Sequence, residues 1–139
     1  MKKRILALAL ALCMALSLVP MTQAESVFTD VPESAFFYEP VMWAVENGIT
    51  IGTSNDTFSP ADLCVRAHIV TFLWKANGSP KAEKVVNPFM DVKEGNYWYD
   101  AAMWALENGI TNGVSATEFG VAQTCIRAQI VTFLYRAQT

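Results

Sequence analysis

Hydrophobic residues along this chain fall into three kinds of run. The first, Ile5 to Val19, is apolar apart from Ser17. The second kind is periodic. Tyr38, Val41, Met42 and Val45 fall at i, i+3, i+4 and i+7, which is one face of a helix. Glu46-Asn47-Gly48 ends it, with Gly48 suited to the position just past a helix terminus. Tyr99, Ala102, Met103 and Leu106 repeat that pattern, and Gly109 ends it. The third kind is apolar nearly all round: Val65, Ala67, Ile69, Val70, Phe72, Leu73 and Trp74 crowd into 65–76, with a counterpart at 126–137. A helix with so little polar face belongs in a core. Polar loops join the two kinds of helix, and 49–63 carries the turn formers Gly52, Asn55, Asp56, Ser59 and Pro60. Phe58 and Phe119 stand alone in these loops and are expected to pin them onto the helices.

The periodic and apolar helices recur because one unit is written twice. Residues 28–78 align with 89–139 without a gap at an offset of 61, and 26 of the 51 positions are identical. Between them, 79–88 holds two prolines and three Lys/Glu charges and reads as a linker. The expected fold is all-α: two tandem helix–loop–helix units, 25–78 and 89–139, packed around a central helix pair. The two apolar helices are expected to meet, with the first helices outside.

The opening run has another meaning. Lys2, Lys3 and Arg4 precede it, Pro20 breaks it, and Thr22-Gln23-Ala24 sets small residues at −3 and −1 of a cleavage site. Residues 1–24 therefore read as a secretory signal peptide. The run is shorter than the ~20 residues that span a bilayer. Cleavage after Ala24 leaves 115 residues with 7 basic and 13 acidic side chains, a formal charge of −6. No later apolar segment is long enough to cross a membrane, so an exported product is expected. That acidic balance excludes a general nucleic-acid binder. One His and three Cys in the whole chain are too few for a zinc cluster.

The residues Phe28-Thr29-Asp30-Val31, Trp43-Ala44, Gly48-Ile49 with Gly52, Phe58-Ser59-Pro60 and Val65-Arg66-Ala67-His68 resemble the S-layer homology (SLH) domain. The second unit repeats them as Phe89-Met90-Asp91-Val92, Trp104-Ala105, Gly109-Ile110 with Gly113, Phe119-Gly120-Val121 and Ile126-Arg127-Ala128-Gln129. The resemblance covers both units. It implies a non-catalytic module, without cofactor or metal, that anchors exported proteins at the bacterial cell wall or cell surface. The implied ligand is a secondary cell-wall polysaccharide, often one carrying pyruvate ketals, held in grooves between units. Carried over by position, the implied ligand residues are Arg66, Arg127, Trp43, Trp104, Asp30, Asp91, Gly52 and Gly113. A guanidinium fork suits the carboxylate of a pyruvate ketal.

Three departures from the family pattern stand out. The family's Thr-Arg-Ala-Glu start is a capping box, but Val65 and Ile126 have no side-chain acceptor, so Asp62 and Thr124 become candidate caps of an earlier start. The loop proline of unit one is Val121 in unit two, which predicts a looser loop. Two units stand where three are usual, although repeat folds generally need about three to bury a continuous core. The alternative function is accordingly a protein-interaction module that forms a homodimer or completes a bundle with another SLH protein.

Several side chains carry two readings. Arg66 and Arg127 serve as ligand contacts or pair with a carboxylate on a neighbouring helix. Trp43 and Trp104 are sugar platforms or core, and Trp98 is core. Asp30 and Asp91 touch ligand, or cap and bridge. Cys64 and Cys125 form a disulfide or remain buried thiols. Cys64 and His68 have the i, i+4 spacing of a nucleophile and base, but Gln129 replaces the His in unit two and no third member is present. An enzyme is not expected.

Overall fold

The computed structural model describes residues 28–138, so the expected signal peptide at 1–24 lies outside the described residues. Four α-helices form among the described residues: α1 (Tyr38–Glu46), α2 (Arg66–Ala76), α3 (Tyr99–Glu107) and α4 (Arg127–Arg136). No named strand occurs among the described residues; a lone antiparallel bridge joins Val65 and Thr124. The fold is all-α, as the periodicity predicts. No helix among the described residues is long and apolar enough to cross a membrane.

Both first helices stop by the same device. Gly48 adopts φ +66° and Gly109 φ +66°. The Gly48 N–H bonds Val45 O (2.9 Å) and the Ile49 N–H bonds Ala44 O (2.8 Å). Gly109 and Ile110 repeat this with Leu106 O (3.1 Å) and Ala105 O (2.9 Å). These paired bonds satisfy carbonyls that a helix end leaves open, and the left-handed residue that makes them possible is a glycine. Ile49 and Ile110, the next residues, are then driven into the interior.

The central helix pair is α2 and α3. Helix α2 also meets α4, whereas α1 meets no other helix among the described residues. The main core joins Ile69, Val70 and Leu73 of α2 to Ala101, Ala102, Met103, Trp104 and Ala105 of α3, with Phe89, Val92, Ile110, Phe119 and Phe133 around them. A second, smaller cluster of Phe28, Val31 and Val41 lies under α1. The second helix of unit one thus packs on the first helix of unit two, across the linker. This corrects the expectation that both first helices lie outside: α3 is interior, and α4 is the apolar helix left with an open face. A repeat whose helices bury each other only through the neighbouring unit has this consequence.

The linker is not loose. Trp74 Nε1 donates to Pro80 O (2.8 Å), and the Glu107 carboxylate accepts the N–H groups of Glu83 and Lys84 (2.7 Å at the shortest). Asn87 Oδ1 accepts the Phe89 N–H (2.9 Å) while its amide donates to Val92 O (2.7 Å), setting the entry into unit two.

Candidate functional site

The two expected ligand aspartates hold loops. Asp30 Oδ1 accepts the Phe58 N–H (2.9 Å) and Oδ2 the Ser59 N–H (2.7 Å). Asp91 accepts the N–H groups of Phe119 (2.8 Å), Gly120 (2.8 Å) and Val121 (3.1 Å). Pro60 has no N–H to give, so Asp91 ties one more loop amide than Asp30 does. Losing the proline thus adds a bond to the aspartate, while the unit-one loop has side-chain bonds of its own, Thr53 Oγ1 to Ser59 Oγ (2.8 Å) among them. The positive φ is also conserved in kind, at Ser59 (58°) and Gly120 (80°).

Amide donation lowers the Asp30 carboxyl below its ordinary value, Phe58 contributing most, against some opposition from burial. At Asp91 burial acts upward, but the three amides outweigh it and the net shift is downward. A group lowered in the folded state stabilises the fold above its unfolded pKa, and that share is lost as pH falls through the folded value. Stability should therefore hold from neutrality to about pH 4, the ordinary carboxylate range, and then decline. Asp91→Asn should melt below wild type at pH 7. The gap between the two should narrow in acid, as followed by circular dichroism from pH 7 to pH 2. A gap that does not change with pH would exclude the carboxylate as the tie.

The expected ligand glycines are also structural. Gly52 and Gly113 both adopt φ +83°. A Cβ on Gly113 would sit 2.5 Å from Glu118 O and 2.6 Å from Phe89 Cε1. One on Gly52 would meet Phe28 and Thr57 O in the same way. Their missing side chain makes room for the motif's opening Phe rings.

Arg66 sits in the seam between units and is buried. Its Nε donates to Phe119 O (2.9 Å) and its Nη2 to Thr111 Oγ1 (2.8 Å). Its guanidinium carbon lies 5.2 Å from the Phe119 ring centroid and 5.0 Å from that of Phe133. Burial pushes its pKa down, and Cys125 and Asp91 pull it back. The partners are neutral oxygens and aromatic faces, so the carboxylate pairing weighed from the sequence is not what holds it. The same seam supplies the missing cap. Arg66 N–H bonds Gln123 O (2.8 Å) and Ala67 N–H bonds Val121 O (3.2 Å). Carbonyls from unit two thus do for α2 what Val65 cannot, and Asp62 is not needed as a cap. In α4 only half of a capping box survives, the Ile126 N–H donating to Gln129 Oε1 (3.1 Å).

Arg127, Arg66's equivalent, is exposed. Trp43 is 57% exposed, while its equivalent Trp104 is 6% exposed. Among the described residues Cys64 and Cys125 are free thiols, with the Cys125 N–H on Cys64 O (3.2 Å). Burial pushes both thiol pKa values up. No group of three His, Cys, Asp or Glu side chains among the described residues is placed to hold a metal ion.

One groove between the units brings polar chemistry together. It encloses about 320 Å³ and is lined by Asn77 and Pro80 after α2, Trp104, Asn108 and Ile110 at the end of α3, and Arg136 and Ala137 at the end of α4. Asn77 and Asn108 turn their amide N–H groups back to Leu73 O and Trp104 O (both 2.8 Å). Arg136 Nη1 donates to Ile110 O (3.1 Å), which sets its guanidinium across the groove's rim. Of the expected site residues only Trp104 lines this groove. Asn77, Asn108 and Arg136 lay outside the sequence reading, because a helix-end Asn reads as a cap and a terminal Arg as solvated.

Comparison with known proteins agrees with this architecture. The S-layer homology domain matches residues 27–69 and 88–131. The chain is 34% identical over 136 residues to the Surface-layer 125 kDa protein of Lysinibacillus sphaericus, covering 98% of this chain and 11% of that protein. It is 31% identical over 144 residues to an Endoglucanase of Bacillus sp. (strain KSM-635), covering 97% of this chain and 15% of that one. The chain thus spans a small part of the length of both relatives. No solved structure matches it. With both units matched in the order and spacing that build the α2–α3 seam, the chain belongs to the S-layer homology domain family.

Proposed function

We propose that this chain is a non-catalytic anchoring module that holds its protein at the bacterial cell surface by binding a secondary cell-wall polysaccharide. The observation that carries the reading is the polar groove between the units, lined by Arg136, Asn77, Asn108 and the largely buried Trp104. Its volume lies at the lower end of the range of ligand pockets, about 300–1,000 Å³. Hydroxyls suit the Asn carbonyls, and a carboxylate such as that of a pyruvate ketal suits Arg136. The chain's −3 formal charge gives no long-range attraction to an anionic polymer, so local donor geometry has to supply the binding. In this reading Arg66, Asp30, Asp91, Gly52 and Gly113 position the groove by fixing the loops and the seam. A surface-layer protein and an endoglucanase each contain a segment similar to this chain, which fits a role in attachment.

The test is co-sedimentation of residues 25–139, which contain every described element, with isolated bacterial sacculi. Half the sacculi are first stripped of secondary polymer by acid extraction. Pelleting with intact but not with stripped sacculi is the expected result. Equal pelleting with both would move the ligand to peptidoglycan and sink the polymer assignment.

A further inference from the structure

Equivalent positions in the two units differ in one systematic way. Val70 of α2 is 0% exposed, and its equivalent Val131 of α4 is 62% exposed. Leu73 is 9% exposed and Leu134 46%. Arg66, Ala67 and Thr71 are buried, while Arg127, Ala128 and Thr132 are exposed. The first helices show the reverse. Ala101 and Trp104 of α3 are buried, while Pro40 and Trp43 of α1 are exposed. The α2–α3 contact explains both differences. It covers a second-helix face of unit one and a first-helix face of unit two. It leaves the complementary pair uncovered: the face of α4 at one end and the face of α1 at the other.

We infer that a second copy of this chain docks its α1 end onto the α4 end of the first, reproducing the α2–α3 seam between molecules. The seam within the chain is the template. There Arg66 reaches Phe119 O and Thr111 Oγ1, and the first amides of α2 reach Gln123 O and Val121 O. Shifted by one unit, Arg127 reaches Phe58 O and Thr50 Oγ1 of the second copy. The amides of Arg127 and Ala128 likewise reach Asp62 O and Pro60 O. Thr50 stands at the position of Thr111 and both are buried, as are the preceding residues Ile49 and Ile110. No helix N-terminus among the described residues meets these unit-one oxygens. Within the chain, α4's own N-terminal amides at Arg127 and Ala128 find no carbonyl among the described residues. Val131 and Leu134 would take the places that Val70 and Leu73 hold on α3, against Trp43 and Pro40. The contact is head-to-tail, so each chain keeps one free end of each kind, and copies close into a ring or run on.

The inference goes beyond the anchoring reading and is tested separately, without polymer. Sedimentation velocity is run on residues 25–139 from dilute protein up to about 1 mM, the weak end of specific association. Wild type is expected to shift from monomer to dimer and larger species. Val131→Asp disables only the α4 end, and Trp43→Asp only the α1 end. Both side chains are exposed, so the helical circular-dichroism signal should be unchanged. Each variant alone should stay monomeric. Their equimolar mixture should recover dimers and stop there, because one intact end of each kind remains. Wild type that is monomeric throughout would overturn the inference. So would a Trp43→Asp chain that associates like wild type, which would mean an α4-to-α4 contact, or a mixture that stays monomeric.

Discussion

Arg66→Ala is expected to destabilise the fold by about 3 kcal/mol or more, the cost of unpaired buried acceptors plus a core void. The substitution leaves Phe119 O and Thr111 Oγ1 without their donor and removes the group packed between the Phe119 and Phe133 rings. For a domain of this size that corresponds to a melting temperature lower by roughly 12 °C or more. Arg66→Lys keeps a positive charge but not the planar fork that serves two oxygens at once, so about half the loss should remain. The internal control is Arg127→Ala, the same residue type one unit later. It is exposed in the single chain, and in dilute protein it should change stability by no more than about 0.5 kcal/mol. Thermal melts followed by circular dichroism check all three. Equal effects at Arg66 and Arg127 would mean that the seam is not where the fold's stability lies.

Gly113→Ala is the second large effect. A φ of +83° costs an L side chain about 1–2 kcal/mol, and the added methyl also runs into Glu118 O and the Phe89 ring. Neither can yield easily. Glu118 O accepts the loop-closing N–H groups of Val114 (2.8 Å) and Ser115 (3.1 Å), and Phe89 is buried against Phe119 with ring centroids 5.4 Å apart. A total near 3 kcal/mol is expected, of the size seen when overpacking adds to backbone strain. Gly109→Ala separates the two contributions. Its φ is +66°, but a Cβ there meets nothing within 4 Å, so only the conformational cost of about 1 kcal/mol applies. Urea unfolding of the two variants should differ by about 2 kcal/mol, a gap set by overpacking. Equal losses would show that the loop has room at Gly113 and restore the case for close ligand approach.

The helices and their ends were written locally, and that is why they could be read. A 3.6-residue stripe with a glycine behind it predicts α1 and α3, and the stops at Gly48 and Gly109 follow from those residues alone. The apolar girdle of α2 correctly placed it in a core. Its partner was not legible. Val70 and Val131 are the same residue in the same motif, yet one is sealed and the other open. That difference comes from the neighbour, not from the repeat. The loop residues taught the same lesson. Asp30, Asp91, Gly52 and Gly113 recur at fixed spacing because Asp must reach loop amides 28 to 30 residues away and glycine must clear an opening Phe. Periodic spacing reports the constraint without saying whether a ligand or the fold imposes it. The capping puzzle at Val65 had a tertiary answer, the carbonyls of Gln123 and Val121. The groove residues Asn77, Asn108 and Arg136 come from three helix ends that converge only after the seam forms.

The most direct measurement is the affinity of folded Arg136→Gln for bacterial sacculi that carry a pyruvylated secondary polymer, beside wild type. Arg136 is exposed and its Nη1 donates to Ile110 O (3.1 Å), so both melting curves are recorded and retention is compared where both proteins are folded. Loss of one charge-assisted contact, about 1.5–3 kcal/mol, should weaken retention at least about tenfold. Retention equal to wild type would contradict the assignment of this groove as the place where the polymer is held.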